Sequence, residues 1–326
     1  MVTAGDSLDL EALLARVRAP WGSARSDAEV VSAAAVASAD LARRAGSDPR
    51  FRREAETLLY LLNAAGCFAA PGDPVVGIVW TTLMAAKWSE LRRELGPAVA
   101  ACSREEMRRQ LVAAVKQWGA FRHPLLDDLE RLGTVEPYRV WAKNWFGSCY
   151  GFSVQLTGLL QRQHALRARK IILENLREEL DAKATHDDAR LRFYAGLGLS
   201  HSYAEAIRDP DWVLESTELL NLRTGLCSLP DPIPALGCFY GIEANWALEC
   251  PRHHAMNQRR GLDDHTLEYW TMHVAADAHH ADEWLDAIDA TCETDAQRAT
   301  VVEGALVQLR LRWRMYDAIR ERVAAG

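Results

Sequence analysis

Two histidines and an aspartate stand at helical spacing near the C-terminal end of the sequence, at His273, Asp277 and His280. At about 100° per residue, an α-helix places these three side chains on one face, within an arc of about 60°. His279 is rotated about 100° away from His280 and is not expected to join them. Imidazole and carboxylate groups that project together suit iron, manganese or zinc. This stretch therefore predicts a metal-binding helix face.

Further acids and imidazoles could complete such a site. Glu179 and His186 are seven residues apart and would share a face if one continuous helix carried both, with Glu178 as the neighbouring alternative to Glu179. Glu243 stands among apolar residues, where a carboxylate needs a partner or a metal. The full set offers three histidines and three carboxylates, from three helices if one helix carries both Glu179 and His186, and this is enough for two metal ions with open positions. A set without thiolates favours iron or manganese over structural zinc.

Each of these patterns also has an interpretation without metal. The face with His273 and His280 could be a helix surface or a hydrogen-bonded part of the core, and acid-rich faces such as that of Glu179 are usually solvated. Glu249, Cys250, His253 and His254 could be imagined as a further metal cluster. A polar helix end near the C-terminal dipole is the preferred interpretation of that stretch.

Composition narrows the function classes. The chain has 326 residues and a formal charge of −7, which argues against broad binding of nucleic-acid phosphates. Its seven cysteines form no CxxC pair, so we expect mostly buried free thiols in a reducing cytoplasm. The first residues lack a secretory pattern, and the longest apolar stretch, 75–86, is shorter than the roughly 20 residues that span a bilayer. We therefore expect a cytoplasmic protein that binds neither nucleic acid nor membrane.

The elements that must position these residues are helices, because Ala, Leu, Arg and Glu dominate and β-branched runs are rare. Ser103 and Thr294 are predicted N-caps, and Pro137 suits a first turn. The fold class is all-α, with residues 1–120 as a helical extension packed on a core of 121–326. Helices are predicted over 8–18, 26–45, 50–65, 75–95, 103–119, 136–164, 166–181, 186–197, 203–223, 235–257, 263–290 and 295–323.

The order of these residues resembles the heme-oxygenase-like di-iron oxidase family, over roughly 122–323. The likeness begins at His123-Pro124-Leu125-Leu126, continues through Glu174-Asn-Leu-Arg-Glu-Glu179 and the Gly196–Leu199 turn, and ends with the histidine–aspartate–histidine triad. It implies a seven-helix heme-oxygenase-like bundle that binds two irons and no heme. The six ligand positions of the family fall on Glu179, His186, Glu243, His273, Asp277 and His280.

The resemblance also implies an activity. Such proteins use two Fe(II) ions and O2, with no catalytic residue needed beyond the metal ligands, often as homodimers in natural-product pathways. We expect oxidative C–C or C–N bond chemistry on a small amino acid or related carboxylate.

Other activities within the fold stay open. Amine N-oxygenases of the family carry an extra carboxylate ligand on the preceding helix, but residues 137–173 contain no Asp or Glu. Tyr150 and Gln155 occupy that region and are candidates for the pocket wall. The remaining alternatives are a metal-free enzyme resembling the TenA proteins, or a helical binding protein whose first 120 residues contact a partner.

Overall fold

A computed structural model describes residues 28–64, 73–149, 151–180, 185–200 and 207–325, apart from the side chains of 147–149 and 275–278. Within these ranges every regular element is helical, with thirteen α-helices, one 3-10 helix at Ala120–Arg122 and no strand. The predicted all-α class is confirmed. The helix predicted over 8–18 lies outside the described residues.

Four helices precede the region that the family resemblance covers. They are α1 (Ala28–Ala45), α2 (Pro49–Ala64), α3 (Pro74–Glu94) and α4 (Arg104–Trp118). Their starts follow local chemistry, since the Ser103 hydroxyl accepts the amide of Glu106 at 3.2 Å, as predicted.

Nine described helices make up the remainder of the chain. They are α5 (Pro124–Leu132), α6 (Val135–Cys149), α7 (Phe152–Arg162), α8 (Leu166–Glu179), α9 (His186–Gly196), α10 (Leu214–Ser228), α11 (Ile233–Arg259), α12 (Glu268–Thr291) and α13 (Asp295–Ala325). Pro137 lies in the first turn of α6, and Thr294 accepts the amide of Gln297 at 3.2 Å before α13, both as predicted.

Two of the predicted helices are wrong in their extent. The helix predicted over 136–164 is divided, because Gly151 adopts a left-handed φ of 76° that a helix cannot contain. Within the helix predicted over 203–223, residues 207–213 are not helical, Pro210 lies in a turn, and a helix begins at Leu214, while residues 203–206 lie outside the described set. Proline disfavours helical geometry in the residue before it.

The apolar core forms two clusters that lie side by side. One is built from α1 to α3, between Ala34 and Met84, and the other runs from Leu91 to Ile319. Polar contacts join the early helices to α10. The buried Asn63 donates to Asn221 at 2.8 Å, and Arg52 pairs with Glu218.

The helices α11 and α13 cross with almost no space between their backbones. A Cβ on Gly237 would lie 1.9 Å from the carbonyl oxygen of Val301, and one on Gly304 would lie 2.1 Å from that of Pro234. Only glycine permits this approach. The crossing fixes two helices that both contribute to the cavity described below.

The prediction of buried free thiols is confirmed for the cysteines whose side chains the structure describes. Five cysteines there are free and buried, namely Cys102, Cys227, Cys238, Cys250 and Cys292. None of the described helices has the length and apolar character needed to cross a bilayer.

Candidate metal centre

Five of the predicted ligands line a single cavity. Glu179 comes from α8, His186 from α9, Glu243 from α11, and His273 and His280 from α12. The space between the lining atoms, including the open mouth, is about 560 Å³. Donors that are up to 101 positions apart in sequence thus meet where four helices converge.

His273 is oriented for ligation by a backbone contact. Its Nδ1 lies 2.7 Å from the carbonyl oxygen of Tyr269, which can only accept a hydrogen bond. The proton therefore resides on Nδ1, and Nε2 keeps its lone pair. Burial, together with the nearby His186, holds the pKa of His273 well below its ordinary value. A neutral imidazole with one fixed tautomer is the form that binds metals.

His186 and Glu179 meet, although no continuous helix joins them. The helix α8 ends with Leu180 as its C-cap, and α9 begins after Thr185, whose hydroxyl accepts the amide of Asp188. The separate helices predicted over 166–181 and 186–197 are therefore confirmed, and the condition of one continuous helix is not met. The Nδ1 atom of His186 nevertheless lies 2.8 Å from Oε1 of Glu179. Burial lowers the pKa of His186, but the hydrogen bond and charge of Glu179, together with the charge of Glu243, outweigh burial and the net shift is upward.

His280 stands between two carboxylates. Its Nε2 lies 2.7 Å from Glu178, and its Nδ1 lies 3.7 Å from Glu243. Burial lowers the pKa of His280, but the negative charges of Glu243 and Glu178 outweigh burial and raise it to about 10. Glu178 and Glu179 therefore both contact predicted ligands, although only Glu179 lines the cavity.

The helix α12 bears out the predicted rotation of its side chains. His273 and His280 both face the cavity, and the ring of His273 lies 4.7 Å from that of His186. His279 points outward with 77% of its side chain exposed and pairs with Glu283. Asp277 belongs to the same helix, but its side chain lies outside the described set.

The imidazole and carboxylate donors fit divalent iron in their chemistry, although the described donor atoms are not close enough together to coordinate one ion. Among the described side chains, no three His, Cys, Asp or Glu groups form a preassembled metal site. The carboxylates of Glu178 and Glu179 instead accept hydrogen bonds from the imidazole N–H groups of His280 and His186. Metal ions displace such protons, because ligating imidazole must be neutral and carboxylate ionised. Residues of the right type are therefore gathered, and loading would exchange these hydrogen bonds for metal bonds.

The rest of the cavity wall was missed by the sequence interpretation. Four residues contribute aromatic and aliphatic surface, namely Phe152, Ile242, Trp246 and Tyr269. Arg190, Arg223 and Arg312 also line it. Tyr269 could have been found, since it precedes His273 by four residues and so shares its helix face. The arginines carry no such signal, because they come from three separate helices.

Neither residue predicted for the pocket wall is placed there by the described structure. Gln155 is buried, and its amide donates to the hydroxyl of Thr224 at 3.3 Å. It is not among the residues lining the cavity. Tyr150 lies outside the described residues.

The second histidine–glutamate group differs from its predicted role as a polar helix end. His253 and Glu249 are both fully buried in α11, with Nε2 of His253 lying 3.0 Å from Oε1 of Glu249. The His253 ring stacks on Trp141 at 4.0 Å and on Trp270 at 4.9 Å. The prediction was wrong because tryptophans distant in sequence cover this face. We call Glu249, His253 and their direct hydrogen-bond partners the sealed cluster.

Comparison with known proteins defines the class first by fold. A domain of unknown function with a heme oxygenase-like fold from Shewanella denitrificans OS217 matches 68% of this chain and 94% of its own, with a TM-score of 0.55 and 15% identity. A TenA homolog from Pseudomonas syringae pv. tomato matches 68% and 93%, with a TM-score of 0.53 and 16% identity. The predicted heme-oxygenase-like bundle is thus confirmed.

The sequence then places the chain more narrowly. The model of a family described as iron-containing redox enzymes matches residues 139–313, more than half of the chain, so the protein belongs to that family. Two curated relatives are both named 4-aminobenzoate synthase. The one from Chlamydia trachomatis is 26% identical over 172 residues, covering 51% of this chain and 71% of the relative. The one from Chlamydia muridarum is 25% identical, covering 51% and 70%.

Proposed function

We propose that the cavity holds two ferrous ions and that the protein is a non-heme di-iron oxidoreductase that uses O2. The observation that carries this proposal is the convergence of Glu179, His186, Glu243, His273 and His280 on one cavity, in a chain of an iron-containing redox enzyme family. Asp277 would complete the ligand set from the same helix as the last two histidines. When bound, the iron pair supplies the electrons that reduce O2 and the oxidising power that acts on the substrate.

The charge of such a site supports an acidic substrate. Two ferrous ions bring four positive charges, and the carboxylates of Glu179, Glu243 and Asp277 offset three of them. The surplus favours a small amino acid or related carboxylate, oxidised at a C–C or C–N bond. Both curated relatives are named for a product that is itself an aromatic carboxylate.

The surrounding side chains would position and protect the reactants. The carbonyl of Tyr269 holds the His273 ring in its ligating tautomer. Trp246, Ile242 and Phe152 exclude water from the cavity wall. An amine N-oxygenase is the less favoured alternative, because the described helices α6 and α7 contribute no Asp or Glu beyond Glu136 at the far end of α6.

Iron binding by histidine variants tests the proposal. Anaerobic titration should give about two Fe(II) per chain for the native protein, followed by an O2-dependent change in visible absorbance. His273→Ala and His280→Ala should each lose tight iron binding and the absorbance change, because each removes a donor that no neighbouring group replaces.

His279→Ala is the matched control. It removes an imidazole one residue from His280, but one that points to solvent. It should bind iron like the native protein. Full iron uptake by His273→Ala and His280→Ala would overturn the proposal, and absence of uptake by the native protein would favour a metal-free enzyme of the same fold.

A further inference from the structure

The outer face of α8 carries a row of exposed leucines. Leu166, Leu173 and Leu180, the last of them the C-cap, are 68%, 53% and 54% exposed. Seven other large aliphatic side chains are exposed in the described part of the chain, and each of those lies on a different helix. Single exposed apolar residues are normal on soluble proteins, but three in a row indicate a contact surface. We call Leu166, Leu173 and Leu180 the leucine stripe.

The leucine stripe results from heptad spacing. Seven residues of an α-helix fall about 20° short of two full turns, so the three side chains lie within an arc of about 40°. The residues that α8 buries, Ala168, Ile172 and Asn175, lie on the opposite side of the helix. One face of α8 therefore packs on the bundle while the other presents leucines to solvent. A heptad row of this kind packs against a second helix at an interaxial angle of about 20°.

The exposed charges of α8 reverse from one end of the helix to the other. The charged side chains of the first half are all positive, namely Arg167, Arg169 and Lys170. Besides Glu179, which faces the cavity, the second half carries two acids and one base, namely Glu174, Glu178 and Arg177. Arg167 pairs with Asp286, whereas Arg169 and Lys170 form no ion pair with any described side chain. A helix of the reverse polarity would therefore complement α8 in charge.

We propose that the leucine stripe binds the leucine stripe of a second copy of this chain, with the two α8 helices antiparallel across a two-fold axis at Leu173. The stripe is symmetric about Leu173, so reversing its direction places Leu166 of one copy beside Leu180 of the other. The same reversal brings the basic half of each helix to the acidic half of the other, whereas a parallel pair would bring the basic halves together. Two-fold contacts of this self-complementary kind are the commonest among homo-oligomers.

The antiparallel arrangement also pairs a specific lysine with a specific glutamate. Lys170 and Glu174 lie on the same flank of the leucine stripe, close to the two-fold axis and on either side of it. Each Lys170 would therefore approach Glu174 of the other copy. Glu174 already pairs with Arg177 on its own helix, an exposed contact that leaves its second oxygen open to the lysine. No residue of the stripe lines the cavity, so the proposal does not depend on the proposed function.

Sedimentation velocity of the full chain at increasing protein concentration tests the contact. The native protein should sediment as a dimer. Leu173→Glu would place two carboxylates together at the two-fold axis and should raise the dissociation constant of the dimer at least about hundredfold. Leu248→Glu is the matched control, because this leucine of α11 is 48% exposed and lies outside the stripe. It should remain dimeric. A native protein that is monomeric throughout, or an unchanged dimer in Leu173→Glu, would overturn the proposal.

Cross-linking through introduced cysteines tests the direction of the helices. Leu173→Cys would lie beside its own copy and should form a disulfide-linked dimer on mild oxidation, whereas two copies of Leu166→Cys would be about 21 Å apart and should not. A mixture of Leu166→Cys and Leu180→Cys chains should cross-link. The native chain gives the background, which should be low because its five described cysteines are buried. Equal cross-linking of Leu166→Cys alone and Leu173→Cys would indicate parallel helices and contradict the proposal.

A charge exchange tests the pairing of Lys170 with Glu174. Lys170→Glu should weaken the dimer by up to about tenfold, because it turns two attractive contacts into repulsive ones. Adding Glu174→Lys to the same chain restores opposite charges across the axis and should recover most of the lost affinity. A double variant that dimerises more weakly than Lys170→Glu alone would contradict the pairing.

Discussion

Two groups of histidine and glutamate lie in this bundle, and they differ in what surrounds them. In the sealed cluster, Nδ1 of His253 accepts a hydrogen bond from the Tyr138 hydroxyl, and Nε2 donates one to Glu249, each over 3.0 Å. All three side chains are fully buried. At the candidate metal centre, His186 and His280 also pair with carboxylates, but those pairs border an open cavity. The same residue types therefore serve structure in one place and are available for ligands in the other.

In the sealed cluster, side chains of the protein itself supply the hydrogen-bond donors and the positive charge that the Glu249 carboxylate needs. Glu249 accepts hydrogen bonds from Arg312, Tyr316 and Asn245 as well as from His253. Burial raises the pKa of Glu249, but the charge of Arg312 and these hydrogen bonds outweigh burial and lower it to about 2. Burial dominates for His253 and lowers its pKa, so this ring stays neutral.

The largest effect should come from breaking the sealed cluster. Glu249→Gln leaves the buried charge of Arg312 without its counter-ion, which we expect to cost about 3–5 kcal/mol in the free energy of unfolding. Urea denaturation measures the change. Glu105→Gln is the control, since Glu105 is 84% exposed and its pair with Arg109 should contribute less than about 1 kcal/mol. Similar losses in the two variants would show that Glu249 is not a structural centre.

Lowering the pH should also reduce the free energy of unfolding through Glu249, by a smaller amount than the substitution does. The pKa of Glu249 is lower in the folded protein than its ordinary value, so its contribution is fully present above about pH 4.5 and is lost as the pH falls toward 2. The contribution is on the order of 3 kcal/mol. Unfolding free energies of the native protein and Glu249→Gln, measured from pH 6 to pH 3, should converge as the pH falls. A constant gap between them would contradict the assignment.

At the candidate metal centre, the adjacent residues Glu178 and Glu179 should have different effects on iron binding. Glu179 lines the cavity, whereas Glu178 is 43% exposed and its one described ion pair is with His280. Glu179→Gln should abolish tight binding of at least one iron, because it removes a ligand. Glu178→Gln should weaken iron binding by about 10- to 100-fold, the usual effect of losing a group that orients a ligand. The reverse order in an anaerobic iron titration would exchange the two roles.

Features encoded locally could be predicted from the sequence. Ser103 and Thr294 cap their helices because their hydroxyls reach amides three residues away. His273 and His280 share a face because a single helix carries both. The break at Gly151 was missed, since glycine in a helical pattern does not reveal a left-handed φ.

Features that depend on distant residues could not be predicted. His253 has the sequence context of a polar helix end, and only the packing of Trp141 and Trp270 shows that it is buried. Arg223 reaches the cavity only because α10 packs within the bundle. The contact of Glu179 with His186 survives a break in the helix because both lie at the ends of neighbouring helices.

The most direct measurement of the central claim is X-ray anomalous scattering at the iron edge, on crystals grown anaerobically with Fe(II). It locates iron without reference to activity. We predict two iron peaks within the cavity, among Glu179, His186, Glu243, His273 and His280, and none beside Glu249 and His253. A cavity without iron in protein exposed to excess Fe(II), or iron bound only elsewhere, would contradict the account.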